Sequence, residues 1–476
     1  MGAGTQWIIN DSRIEDETMD KSLEFVRSKR DMIREELFEF LSIPSISTQP
    51  KHKEDVINAA SWLAAHMEAA GLEHVQLFES EGHPLVYGDW LHAGDAAPTV
   101  LIYGHYDVQP VEPLALWHSK PFTPELRGDF VYARGASDDK GQLYIHIKAV
   151  EAFLTADGRL PVNVKFILEG EEESGGESLS RFIPQNRELL AADVALISDT
   201  AMMSPDQPAI VYGLRGIVYS FIDVTSAGRD LHSGSYGGAI DNPLNALSHI
   251  IANLKDQDGH VLIPGFYDKV APLSDAEKEA MAAVPFDEEA WLAETGALEL
   301  WGESQYTVRE RLGARPTLDV HGIIGGYTGA GRKTVLPSHA HAKISMRLVP
   351  DQNAEEIARH YVDFVQQLAP STVNVDVTIC STNMPSVSDL ETPAMRAAAM
   401  ALKEVFGREP VYIREGGSIP VVAEFQEYLN LETVMMGFGL PDDRIHAPNE
   451  RFYLPNFYRG IESVITFFDK YAELFS

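Results

Sequence analysis

Cysteine is nearly absent: Cys380 stands alone in 476 residues. One thiol can form no intrachain disulfide and no thiolate zinc site, and this usage fits a cytosolic protein. Long apolar runs are missing too. None approaches the ~20 residues that a membrane span needs. The opening residues, MGAGTQWIINDSRIEDETMD, lack the basic-then-apolar order of a secretory signal. Positive charge is scarce, with 38 Lys+Arg against 71 Asp+Glu and a formal charge of −33. Such a surface repels phosphate backbones and anionic lipid, so neither nucleic-acid nor membrane binding is expected. No Gly-x-Ser-x-Gly elbow precedes a helix, which removes the common serine-hydrolase arrangement.

What is present is a chain too long for one hydrophobic core. Apolar spacing predicts helices over 22–41, 56–70 (with Gly71 as the stop) and 143–154. Short apolar runs predict strands at 100–103, 164–168 and 194–197. Strands alternating with amphipathic helices imply an α/β layer with a mainly parallel sheet. From about 217 the pattern changes to β-α-β-β-α-β: strand 217–224, a helix opened by Asn242-Pro243, strands 318–324 and 340–349, helix 355–368 and strand 373–380. The α/β pattern then returns, with a helix at 393–406, a strand at 433–436 and a closing helix at 456–474. The expected organisation is a catalytic domain from 1–212 and 383–476, interrupted by an α+β domain at 213–382. The acidic segment 256–316 reads as helical.

The chemistry sits where strands end. Val100–Tyr103 is followed by Gly104-His105-Tyr106-Asp107, Val164–Leu168 by Glu169-Gly170-Glu171-Glu172-Glu173, and Val194–Ile197 by Ser198-Asp199. Ligands of open α/β sheets bind at those carboxyl ends. Two further clusters, Arg134-Gly135-Ala136-Ser137-Asp138-Asp139-Lys140-Gly141 and Arg444-Ile445-His446-Ala447-Pro448-Asn449-Glu450, lie in loops. Each cluster alone has a plain structural explanation as a solvated face, a turn or a helix cap. Brought together by one sheet, so many carboxylates would repel one another unless divalent cations sat among them. Imidazole and carboxylate donors without thiolate suit zinc or manganese. Five such groups can serve two cations if one carboxylate bridges, and Glu172, beside Glu173, stays available as a base.

GHYDVQP, YARGASDDKGQ, LEGEEESGG, LISDT and IHAPNE stand in one order along the chain. In that order they resemble the dinuclear metallopeptidase family of carnosine and cysteinyl-glycine dipeptidases, aminoacylase, succinyl-diaminopimelate desuccinylase and carboxypeptidase G. The resemblance runs from about residue 24 to the C-terminus. It implies His105, Asp138, Glu173, Asp199 and His446 as metal ligands, with Asp138 bridging and followed by a peptide bond that is often cis. It implies Asp107 as the carboxylate that fixes the His105 ring, and Glu172 as general base. Asp, rather than Glu, at position 199 resembles the dipeptidase branch, as does the long segment 256–316. The inserted domain resembles the family's lid and dimerisation domain. By that likeness Thr334, Arg347 and Ser418 bind the substrate carboxylate, Glu415 faces a substrate amino group, and the chain is a homodimer in which His232 of the partner subunit stabilises the oxyanion. The expected activity is hydrolysis of small peptides bound between the domains. An N-acyl or N-carbamoyl amino acid amidohydrolase, and an inactive peptide- or metal-binding protein, remain as alternatives.

Overall fold

Strands buried from end to end make the central layer. The computed structural model describes residues 21–475. In it Thr99–His105 lies between Asn163–Glu169 and Val194–Ile197, parallel to both, and Thr433–Met435 continues the parallel block beyond Val194–Ile197. Nearly every residue of these strands is buried, as a sheet covered on both faces requires. The fold is the α/β class expected. The sheet as a whole is mixed, because Leu85–Trp90 adds antiparallel to Asn163–Glu169, and Glu73–Phe78 adds antiparallel to Leu85–Trp90. Neither of those two strands was expected from the pattern. Leu85–Trp90 is buried throughout yet carries Gly88 and Asp89, so it has neither alternation nor an apolar run to reveal it. Asp89 is kept satisfied there by the Tyr87 hydroxyl at 2.8 Å.

Helices cover this sheet for reasons visible in their spacing. Lys53–Ala69 buries Val56, Ala60, Leu63 and Met67, and it ends before Gly71, whose φ of +96° a side chain would disfavour. Lys140–Ala156 is buried almost all round. It packs on Thr99–His105 and against the closing helix Leu454–Phe475, which in turn meets Pro393–Phe406. The helical N-terminal stretch is interrupted near Lys29 and resumes as Arg30–Leu41.

The chain divides into two compact units. The first comprises the residues up to Tyr212, Ser388–Tyr412 and those from Glu424 onward. The second comprises Gly213–Val387 and Ile413–Ala423. The second unit is built on an antiparallel sheet in the order Thr317–Gly325, His339–Leu348, Gly216–Thr225, Asn374–Asn383. Gly216–Thr225 alternates strictly between buried and half-buried positions. Val218, Ile222 and Val224 face a core shared with Leu247 and Ile250 of helix Pro243–Ala252 and with Tyr361 and Val365 of helix Ala354–Leu368. Both helices start at an asparagine whose side chain accepts a backbone N–H, Asn242 from Leu244 and Asn353 from Glu356. The segment 256–316 holds three short helices, Asp275–Ala283, Glu288–Thr295 and Val308–Gly313. Among the described residues no helix is long and apolar enough to cross a membrane.

Candidate metal centre

The parallel block delivers its chemistry at one end. His105 closes its strand opposite Glu169 of the neighbouring one, and Asp199 lies just beyond Val194–Ile197. Asp138 comes from the loop that precedes helix Lys140–Ala156, and the Asp138-Asp139 peptide bond is cis. A carboxylate that sequence reasoning had left unassigned holds this loop. Buried Glu450 accepts hydrogen bonds from Arg134 Nη1 at 2.6 Å and from the backbone N–H groups of Gly135, Ser137 and Asp138 at 3.0, 3.0 and 3.2 Å. Glu450 ends the IHAPNE motif, so its position was marked although its partners were not.

His446 is presented by a loop with unusual backbone. Arg444, His446 and Asn449 have φ of +59°, +59° and +66°, values that cost side-chain-bearing residues energy and persist where surroundings enforce them. The Asn449 amide clamps this loop, accepting from the His118 N–H and donating to the Leu116 carbonyl, both at 2.8 Å.

Asp138 stands between the two imidazoles. Its Oδ1 is 3.1 Å from His105 Nε2 and its Oδ2 is 2.8 Å from His446 Nε2. Asp199 Oδ2 lies 3.8 Å from His105 Nε2, and Glu173 Oε2 lies 3.4 Å from His446 Nε2. The donors therefore form two triads that share one carboxylate: His105, Asp138 and Asp199, and Asp138, Glu173 and His446. Within each triad the ligand atoms lie within 4.8 Å of one another. Gln109 Nε2 donates to Glu173 Oε2 at 2.6 Å and the Glu173 N–H donates to Asp107 Oδ2 at 3.1 Å, which fixes that carboxylate. His105 Nδ1 lies 3.2 Å from the Asp107 carbonyl and 3.4 Å from Asp107 Oδ1, a buried oxygen with no hydrogen bond among the described residues.

The electrostatics fit a cation pair. Burial alone would lower the His105 pKa, yet the carboxylates of Asp107, Asp138 and Asp199 hold it well above the ordinary value. Asp199 is driven well above the carboxylate range, first by burial and then by Asp139. Burial pushes Glu172 up to about 7, His105 opposes this, and Glu173 and Asp138 add to it. Raised pKa values on an imidazole and on two carboxyls alike mark a centre short of positive charge, which two divalent ions would provide. The donor set, two imidazoles and three carboxylates with one shared, matches such ions in number and kind.

The glycines beside the acids have steric reasons. Gly175 has φ of +64°, and a Cβ on Gly170 would lie 2.7 Å from the Tyr106 ring.

The remaining candidates belong to the second unit. Arg347 Nη1 donates to Ser418 Oγ at 2.9 Å, and Ser418 Oγ donates to the Arg215 carbonyl. His232 lies on a two-stranded ribbon, where it pairs with Val335, and Thr334 just precedes that ribbon's second strand, its carbonyl accepting from the Ser233 N–H at 3.1 Å. Burial pushes Glu415 up to about 7. Arg215 was not foreseen. Its guanidinium donates to the Gly416 carbonyl at 3.2 Å, and burial together with Arg347 lowers its pKa to about 10. Its flanks are ordinary strand sequence, so nothing in the pattern distinguished it.

A family model described as Peptidase family M20/M25/M40 matches residues 101–470. The chain belongs to that family. The Beta-Ala-His dipeptidase of Homo sapiens is 31% identical to this M20 peptidase over 474 residues, covering 96% of this chain and 93% of that protein. The Cys-Gly metallodipeptidase DUG1 of Candida albicans is 32% identical over 451 residues, covering 90% and 92%. Among solved structures, the M20 family metallo-carboxypeptidase Sso-CP2 from Sulfolobus solfataricus superposes with a TM-score of 0.84 at 34% identity, covering 92% of this M20 peptidase and 98% of that chain.

Proposed function

We propose that this M20 peptidase is a metal-dependent dipeptidase acting in the cytosol as a homodimer, with two zinc or manganese ions per subunit. The observation that carries the reading is the Asp138 carboxylate set between His105 and His446, each with a second carboxylate beside it. Its full-length likeness to proteins named as dipeptidases supports the substrate class. His105, Asp138 and Asp199 would hold one cation, and Asp138, Glu173 and His446 the other. When bound, the cations supply Lewis acidity at the scissile carbonyl and acidify a water molecule.

The chain's own groups do the rest. Glu172 accepts the proton of the attacking water at its carboxylate and delivers it to the leaving amine nitrogen. Asp107 keeps the His105 ring oriented, so that Nε2 faces the centre. Arg347, steadied by Ser418, offers a planar guanidinium to the substrate carboxylate, which it can grip in two places. Thr334 adds a hydroxyl to that recognition, and Glu415 an acceptor for the substrate ammonium. His232 of the partner subunit donates to the oxyanion.

A substrate panel tests the reading. Purified protein loaded with zinc, manganese or cobalt is offered β-Ala-His and Cys-Gly dipeptides, N-acetyl and N-carbamoyl amino acids, and longer peptides with free C-termini. Metal-dependent cleavage confined largely to the dipeptides is expected. Preference for the N-acyl or N-carbamoyl compounds would reassign the chain as an amidohydrolase. Stepwise trimming of the longer peptides would reassign it as a carboxypeptidase, the activity in the name of Sso-CP2. Binding without product from any substrate would make it an inactive binder.

A further inference from the structure

The second unit carries a cluster of ligating side chains that the catalytic reading does not use. The face of its sheet turned away from the helices carries Asp223, His339 and His341. His341 pairs directly opposite Asp223 across neighbouring strands, and His339 precedes it by two residues on the same face. In a strand that spacing places both imidazoles on one side, about 7 Å apart along the chain. Both rings turn inward to one oxygen: His339 Nε2 is 2.8 Å and His341 Nδ1 is 3.0 Å from Asp223 Oδ1. The three ligand atoms lie within 4.8 Å of one another. Asp376 pairs opposite Asp223 on the far side, so a second carboxylate shares this face. The Phe221 ring, 5.2 Å from that of His341, packs beside the cluster.

We propose that Asp223, His339 and His341 form a peripheral site for one divalent transition-metal ion of the zinc class. Two imidazole nitrogens and a carboxylate oxygen are the donors such ions prefer. In a tetrahedral site with bonds of about 2.1 Å, the ligand atoms stand roughly 3.4 Å apart. That value lies between the 2.8 and 3.0 Å from the two imidazoles to Asp223 Oδ1 and the 4.8 Å within which all three ligand atoms fall. The half-exposed face leaves the remaining coordination to water or to Asp376. As exposed hydrogen-bonded ion contacts the three side chains add little to stability. As a chelate it pins strand His339–Leu348 to strand Gly216–Thr225, so zinc would stabilise the second unit by mass action.

The test counts metal rather than turnover. Full-length protein and the double variant His339→Ala, His341→Ala are dialysed against buffered zinc, and bound zinc per chain is measured by elemental analysis. The same pair is compared in a His446→Ala background, where the catalytic centre is itself depleted. The wild-type residues should hold one more zinc ion per chain than the alanines in both backgrounds, and Asp223→Asn should bind the extra ion more weakly. Identical melting of wild type and double variant in chelator establishes that the substitutions leave folding intact. Equal zinc content, to within half an ion per chain, would overturn the proposal.

Discussion

Glu172 and Glu173 are adjacent in the chain, and the roles proposed for them, base and ligand, can be told apart without disturbing the fold. Glu173 is fixed by Gln109 at 2.6 Å and by its own N–H on Asp107, and it faces His446. Glu172 opens the short turn Glu172–Ser174. Replacing Glu172 with Gln keeps volume and removes proton acceptance. Turnover should fall by about 10²–10⁴-fold while bound metal, measured by elemental analysis, stays unchanged. Loss of metal together with activity would make Glu172 a ligand and not a base. A second residue-scale prediction concerns the clamp under Asp138. Arg134 and Glu450 are both almost wholly inaccessible to water and bond at 2.6 Å. Arg134→Ala strands a buried carboxylate, which costs roughly 3–5 kcal/mol, and the melting midpoint of the metal-free protein should drop accordingly. The resemblance named the five candidate ligands; of these, His105, Glu173 and Asp199 follow strand ends, where an α/β sheet gathers side chains, while Asp138 and His446 come from loops. Neither Glu450 nor Arg215 was named. Glu450 sits in a motif, but its role depends on partners more than 300 residues away, and the role of Arg215 on burial, so neither role could be read locally.

At the scale of elements, the buried helix Lys140–Ala156 carries a histidine whose charge state makes folding depend on pH. His146 is fully buried, with Nε2 2.9 Å from Ser198 Oγ, and burial pulls its pKa down to about 3. In the unfolded chain it titrates near 6.5. The folded state therefore binds fewer protons, so this contribution is complete above pH 6.5 and erodes as pH falls toward 3. The expected slope is about 1.4 kcal/mol per pH unit. Urea unfolding of wild type and His146→Gln between pH 6.5 and 4.5 should show a shallower decline for the variant, and parallel declines would remove His146 as the cause. Elements were readable where period or capping was strong, as in the Asn242-Pro243 helix start and the central strands. Glu73–Phe78 and Leu85–Trp90 escaped because antiparallel strands at the flank of a sheet carry polar residues held by specific pairs, such as Asp89 with Tyr87. In segment 256–316 the capping boxes Ser274–Glu277 and Thr307–Glu310 mark two of the three short helices. Composition alone indicated helix there but not where each one begins.

For the whole molecule, the assignment of His232 makes a claim about assembly that mixing can decide. His232 is exposed on its ribbon, its Nδ1 accepting only the Gly234 N–H at 3.0 Å among the described hydrogen bonds. An exposed imidazole that serves the oxyanion of a neighbouring copy would leave each chain incomplete alone. His232→Ala and Glu172→Gln should then each abolish turnover in a homodimer, for unrelated reasons. In a mixed dimer the His232→Ala chain keeps its own Glu172 and receives His232 of the partner subunit, which restores one of two centres. Random reassociation of equal amounts into two-fold dimers makes half of them mixed, so about a quarter of wild-type activity should return after subunit exchange. Recovery would require both the dimer and the action across it, because two defects in cis cannot complement. A mixture that stays inactive after exchange is demonstrated by a mass-tagged chain, or a monomer with full turnover on gel filtration, would remove His232 of the partner subunit from the reaction.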